Sequence, residues 1–203
     1  MKEKYIEDLK EIKEIMNRST RFISLSGLSG VSTGIIALAG VYIAYQTFFK
    51  KQDYLVYDAT NLSNEGISHL LLIALGTLIL AIASAFFFTK RKTKNRNESL
   101  WNNTIKELIF NLIIPLTTGG LLCLMLLLKG FIGILPSLTL IFYGLALINS
   151  SKNTFPEIRS LGLIEIIVGL LAFQFIEYGL IFWAFGFGFI QITYGLIVQK
   201  KYK

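Results

Sequence analysis

The stretch Leu161 to Phe173 reads LGLIEIIVGLLAF, an apolar run interrupted by one carboxylate, Glu165. A carboxylate at the centre of hydrocarbon costs about 2.5–3.5 kcal/mol on insertion scales, so it normally faces a bundle interior and finds a partner there. Helical spacing suggests the partner. Gly162, Glu165, Gly169 and Ala172 follow a 3-4-3 pattern and share one narrow face. Further on, Ala184, Gly188, Gln191 and Gly195 follow a 4-3-4 pattern and form a second face. A very short link near Tyr178–Gly179 makes the two segments antiparallel neighbours. Counted from that link, Glu165 and Gln191 differ in depth by less than about one helical turn. The two polar side chains are therefore expected to meet where small residues let the backbones approach. Asn111 and Tyr143 are expected to join this interior, and Tyr194 follows Gln191 by three.

Two chemistries fit a carboxylate in that setting. One is an interhelical hydrogen bond that holds two helices together, worth well under about 2 kcal/mol. The other is a site for a ligand, proton or ion, since intramembrane acids are functional candidates by default. The structural reading is slightly favoured on sequence alone. Gln174 and Glu177 are expected near the outer end of their span, and His69 at the outer start of another, where water is near.

Other chemistries find no support. The lone His69 leaves no multi-histidine metal site, and Cys123 has no second cysteine to pair with. There is no HExxH, no Gly-x-Ser-x-Gly, no phosphate loop and no Ser–His–Asp set. Asp8, Asp53 and Asp58 all lie outside the apolar blocks, so an intramembrane aspartyl pair is not available. The expectation is a protein that is not an enzyme, with no catalytic residues, no metal and no cofactor.

The elements that must position Glu165 are apolar blocks. Of the 203 residues, 53% are hydrophobic and 16% charged, and the apolar ones are clustered. Six blocks approach the ~20 residues needed to cross a bilayer. They run Phe22–Tyr45, Ile67–Thr89, Leu108–Leu128, Phe131–Ile148, Leu161–Tyr178 and Leu180–Val198. No block shows the alternation of a membrane β-barrel, so the fold class expected is an all-α membrane protein of six transmembrane helices. Residues 1–21 precede this single bundle of residues 22–198, and a basic tail, residues 199–203, follows it. No cleavable signal peptide is expected, because the first 21 residues mix five acids with six bases.

The net charge of +7 is read as orientation. Lys and Arg in alternate segments number 17 against 3. The positive-inside rule then places both termini in the cytoplasm, with an even number of spans. The basic loop KRKTKNRNESLWNNTIKE suits anionic headgroups, and nothing resembles a nucleic-acid-binding module.

Packing signals are local. Ser26, Gly30 and Gly34 recur every four positions and make a small-xxx-small face. Gly162, Gly169, Gly188 and Gly195 are the corresponding close-approach positions in the last two spans. Pro115, followed by Thr117, Thr118, Gly119 and Gly120, marks a kinked or broken helix whose freed carbonyl a neighbouring hydroxyl re-satisfies. Pro136 repeats the theme in the next span. The opening MKEKYIEDLKEIKEIMNRST carries Tyr5, Leu9, Ile12 and Met16 on one stripe, so residues 1–21 read as an amphipathic helix in the headgroup layer or against a partner.

An internal repeat is also legible. Ile141-Phe-Tyr-Gly-Leu145 and Ile192-Thr-Tyr-Gly-Leu196 are 51 residues apart, and Gly119-Gly-Leu-Leu and Gly169-Leu-Leu-Ala about 50 apart. Spans 3–4 and 5–6 are thus expected to be related hairpins, with Gly34-Ile-Ile-Ala a fainter start of a third. The stretch LGLIEIIVGLLAF…YGLIFWAFGFGFIQITYGL resembles the Gly-punctuated hairpin of HdeD-like, acid-resistance-type membrane proteins. The segments MNRSTRFISLSGLSGV, NLIIPLTTGG, LIFYGLALINSSK and FWAFGFGFIQITYG resemble, nearly end to end, an uncharacterised family of small bacterial six-helix integral membrane proteins. That resemblance implies the fold and a bacterial inner (cytoplasmic) membrane, and no activity. It also implies an acid at the position of Glu165 and often a histidine at that of Gln191, so Gln191 departs from the pattern.

The function class expected from these readings is a non-catalytic integral membrane protein, an interaction, regulatory or stress-response component. Its partners would be the lipid bilayer and, through residues 1–21, a second copy or another protein. The alternative is a small transporter or channel built on the polar site around Glu165.

Overall fold

The computed structural model describes residues 26–48, 64–95, 103–151 and 156–201. They are 94% helical with no strand, and they form six helices. These are α1 (Gly27–Phe48), α2 (Asn64–Asn95), α3 (Asn103–Leu128), α4 (Leu135–Ser150), α5 (Pro156–Gln174) and α6 (Ile176–Lys201). The expected N-terminal amphipathic helix, residues 1–21, lies outside the described residues.

Four of the six are long and apolar enough to cross a membrane: α1, Glu65–Lys92 within α2, Lys106–Leu128 within α3, and α6. The other two differ for physical reasons. The block expected at Phe131–Ile148 follows a turn at Gly130, φ 84°, and opens with four non-helical residues, so its helix starts only at Leu135 with Pro136 in the first turn. Pro136 therefore begins a helix, where its missing N–H costs nothing, rather than kinking one. At 16 residues α4 spans about 24 Å, short of a bilayer core of about 30 Å. The block expected at Leu161–Tyr178 starts five residues earlier and ends at Gln174, so α5 carries Glu157 and Arg159 as well as Glu165.

The helices alternate in direction, as the contacts between them show. Ser84 Oγ donates to Ser32 Oγ at 2.7 Å, and Gly40 lies against Thr77, so α1 and α2 are antiparallel. Gly119 sits under the Phe142 ring, and Asn149 Nδ2 donates to the Asn111 carbonyl at 2.6 Å, which makes α3 and α4 antiparallel. Between α4 and α5, Gly144 meets Gly162 and Ile141 meets Gly169. Gly27 lies against Gln199, Gly30 against Gly195, and Gly34 against Gly188 and Ile192, so α1 closes antiparallel on α6. The start of α1 and the end of α6 thus share one end of the bundle. In contrast α4 and α6 run parallel, with Thr139 beside Trp183 and Tyr143 beside Phe187.

The centre is therefore α4, α5, α6 and α1, while α2 flanks α1 and α3 flanks α4. None of the membrane-length stretch of α2 is buried, and only 11% of that of α3 is. Leu72 on α2 and Leu128 on α3 are 69% and 70% exposed, with Ile79, Phe86, Phe110 and Met125 nearly as open. Large apolar side chains on the outer surface suit a lipid solvent, in which exposing them carries no penalty. The all-helical fold and several membrane-length apolar helices mark a multi-pass membrane protein.

Pro115 does not break α3, which is continuous from Asn103 to Leu128. Proline lacks the N–H that would bond the carbonyl four residues back, here Asn111. That carbonyl is the one taken by the Asn149 side chain. The freed acceptor is re-satisfied across a helix interface, by an amide rather than by a hydroxyl.

Candidate functional site

Glu165 is the tenth of the nineteen residues of α5 and is wholly buried. It is thus at mid-helix, deeper from the start of its helix than the block boundaries implied. The side chains around it come from three helices. Gly162 and Gly169, on the same face of α5, pack against α4: a Cβ at Gly162 would fall 2.7 Å from the Gly144 carbonyl oxygen, and one at Gly169 2.7 Å from Ile141 Cγ1. Ala172 is buried on that face too. These contacts hold α5 tight on α4 and leave Glu165 at the border between α4 and α6.

Across that border lies Gly186. A Cβ built on it would be 2.6 Å from Glu165 Oε2 and 2.5 Å from Leu140 Cδ2 of α4. The reason is the local structure of α6. The helix opens with a 3-10 turn, Ile176–Tyr178, and a short α-helical piece, Gly179–Trp183. It widens to a π-helix over Ala184–Ile190 and returns to α-helix at Gln191–Lys201. The π segment is AFGFGFI, in which two glycines weaken the α-helical preference and aromatic side chains stack along the widened turn. Phe185 and Phe189 stack at 5.8 Å, and Trp183 and Phe187 meet at 4.8 Å.

This changes the expected face. Ala184, Gly188, Gln191 and Gly195 would share a face only with α-helical periodicity throughout. With the π segment, Gly188 turns to α1, where its Cβ would strike Leu38, and Gly195 meets Val31 and Gly27. Gly186 takes the place opposite Glu165, and Gln191, five residues on, lies one turn farther along. Gly188 and Gly195 of α6 therefore serve α1, where Gly30 and Gly34 meet them, rather than α5; Ser26, just before α1, is buried.

Gln191 still belongs to the site. The Tyr143 phenol has both the Gln191 side chain and the Glu165 carboxyl as polar neighbours. Tyr143 and Tyr194 both pack on the buried cluster of Leu147, Ile158 and Leu161. On the other side, Leu140, Val168 and Ala172 carry Phe182, Trp183, Phe187 and Ile190. Trp183 Nε1 donates to Thr139 Oγ1 at 3.0 Å, which fixes the indole between α4 and α6.

Of the five expected site residues, Glu165, Gln191, Tyr143 and Tyr194 gather in one region, and Asn111 does not. Asn111 is on α3, engaged through its carbonyl with Asn149. Gly186, Leu140 and Phe187 were not foreseen; the alternation FGFGF inside an apolar run was the available signal. His69, Gln174 and Glu177 are exposed, at helix ends as expected.

Both carboxyl oxygens of Glu165 and the side-chain carbonyl oxygen of Gln191 are buried and have no hydrogen-bond partner among the described residues. Three buried acceptor oxygens of this region thus have no donor among the described residues. An interhelical hydrogen bond from Glu165, the structural role expected for it, is not formed. Among the described residues no cluster of histidine, cysteine or acidic side chains could hold a metal ion. No known protein family, curated protein or solved structure matches the chain.

Proposed function

We propose that the chain is a small multi-pass transporter or channel whose working group is Glu165, taking up a proton inside the α4–α5–α6 cluster. The observation that carries this reading is the pair of buried Glu165 oxygens without a partner. A bare carboxylate in that position is uncompensated, and a bound proton neutralises it at the least cost in space. A carboxylate kept only to join helices would be expected to spend its oxygens on them. The interaction-component reading rests on residues 1–21, outside the described residues.

Six spans fit this reading, since α4 and α5 pack against the membrane-length helices α3 and α6. The positive-inside count supports cytoplasmic termini. A hairpin repeat is supported by matching contacts. The α4 positions Ser137, Ile141, Gly144 and Ile148 meet α5 as Gly188, Ile192, Gly195 and Gln199 of α6 meet α1, each 51 residues on. Their partners Gly162, Ile166 and Gly169 correspond to Gly27, Val31 and Gly34, each 135 residues earlier. Glu165 then lies beside the junction of two equivalent crossings and next to an irregular helix, a setting in which transporters place coupling-ion sites.

The test is proton flux into liposomes holding the purified full-length protein and an internal pH dye. Wild type should dissipate an imposed gradient faster than empty liposomes, and Glu165→Gln, folded to the same helicity, should fall to the empty rate. Equal rates for wild type and Glu165→Gln would overturn the proposal.

A further inference from the structure

Three features line up along α5 and α6. At one end the two helices join through the single 3-10 turn Ile176–Tyr178, entered at Phe175 with φ −117° and ψ 65°, outside helical values. In the middle sits Glu165 against Gly186. At the opposite end the Lys201 ammonium pairs with the Glu157 carboxylate, linking the last turn of α6 to the first turn of α5.

The helices on either side of this line are bound unequally. Within the α4–α5 pair and within the α6–α1 pair, glycines bring backbone against backbone: Gly144 on Gly162, and Gly195 on Gly27 and Gly30. Between the pairs the contacts are mostly side chain on side chain, through Leu140, Tyr143, Trp183 and Phe187, apart from Gly186 and, beside the Phe175–Tyr178 turn, Gly179 against Pro136 and the Gly133 carbonyl. Interlocked backbones resist separation, whereas large side chains can change rotamer and let a seam part. Seven residues of π-helix flank that seam, and π segments give up α-helical bonding that a rearrangement can recover.

We infer that the α4–α5 and α6–α1 pairs open like jaws about the Phe175–Tyr178 turn, that the Lys201–Glu157 ion pair latches them shut, and that opening admits water to Glu165. Lys201 is 57% exposed and Glu157 19%, so solvent reaches the latch while Glu165 behind it stays dry. The ion pair is a surface one and so individually weak, as a releasable latch must be. This inference rests on the reading of Glu165 as the working group.

The experiment measures water access to Glu165 in the full-length protein in nanodiscs. A water-soluble carbodiimide with a small amine nucleophile labels reachable carboxyls, and mass spectrometry quantifies the peptide containing Glu165. The fully denatured protein sets the maximum, and helicity and melting temperature exclude unfolding. Lys201→Glu and Glu157→Lys, each placing like charges together, should raise labelling at least threefold over wild type. The double exchange Lys201→Glu with Glu157→Lys should return it to the wild-type level, and Lys201→Ala should fall between. Wild-type labelling in both single reversals, or no restoration in the double exchange, would overturn the latch. If Glu165 becomes labelled as expected while proton flux does not depend on it, the jaw stands and the transport reading fails. If flux depends on Glu165 while labelling ignores the latch, the reverse holds.

Discussion

Gly186 of α6 sits directly against the Glu165 carboxyl of α5, so close that a methyl group there would lie 2.6 Å from Glu165 Oε2. The relationship exists because the π segment Ala184–Ile190 rotates this glycine, rather than Gly188, toward α5. Gly188 and Gly195 are thereby released to pack on α1. One irregular stretch therefore does two things: it clears space beside the buried acid, and it lets the last helix close on the first.

Gly186→Ala tests the first of these. The added Cβ meets Glu165 Oε2 and, at 2.5 Å, Leu140 Cδ2, both side-chain atoms and one of them on a wholly buried leucine. Overpacking of this kind costs about 1–3 kcal/mol. Melting in detergent should fall accordingly, and Glu165-dependent proton flux should drop at least tenfold. A variant with wild-type melting and flux would show that the space is not used.

Glu165→Leu should stabilise the protein. Both carboxyl oxygens are buried without a partner, and replacing an uncompensated polar group by an apolar one of similar shape removes a desolvation cost of about 1–3 kcal/mol. The expected result is a raised melting temperature together with lost flux, the usual signature of a group kept for function rather than stability. A lowered melting temperature would restore the structural reading of Glu165.

The membrane class, the six helices and the region holding Glu165, Gln191, Tyr143 and Tyr194 were legible because hydrophobic length and polar exceptions survive any local irregularity. The facing of α6 was not, because the 4-3-4 pattern of Ala184, Gly188, Gln191 and Gly195 presumes one helical period throughout. The π segment violates it. The ends of α4 and α5 were misjudged for a related reason: apolar turn residues such as Phe131 and Ile132 look like helix, and Glu157 and Arg159 look like loop. Hydropathy reports what lipid tolerates, whereas helix ends answer to turns, caps and ion pairs. Pro115 could be seen to free a carbonyl, but only the antiparallel register of α3 and α4 brings Asn149 to it.

Asn149 should therefore matter only while Pro115 is present. Its amide donates at 2.6 Å to the Asn111 carbonyl, the acceptor that Pro115 leaves without a helix partner. Asn149→Ala should cost about 1 kcal/mol, within the range for hydrogen bonds between membrane helices. Pro115→Ala returns an N–H to that carbonyl, so Asn149→Ala in the Pro115→Ala background should cost clearly less. Thermal denaturation of the four proteins forms a double-mutant cycle, and strict additivity would disprove the link.

The matching contacts of the two crossings make a prediction that an unrelated pair of interfaces would not. A Cβ at Gly144 would lie 2.5 Å from the Gly162 carbonyl oxygen, and one at Gly195 2.7 Å from the Gly27 carbonyl oxygen. Gly144 and Gly195 occupy the same place in the two sets, so Gly144→Ala and Gly195→Ala should lose similar stability, about 1–3 kcal/mol each. Gly76 on α2 and Gly120 on α3 are the contrast, since a Cβ there meets nothing within 4 Å. Gly76→Ala and Gly120→Ala should be neutral or stabilising by about 0.5–1 kcal/mol, because alanine is the better helix former. Melting temperatures of the four variants decide the matter. Unequal losses at Gly144 and Gly195 would break the equivalence of the crossings, and a large loss at Gly76 or Gly120 would mean that those open helix faces are covered by something in the membrane.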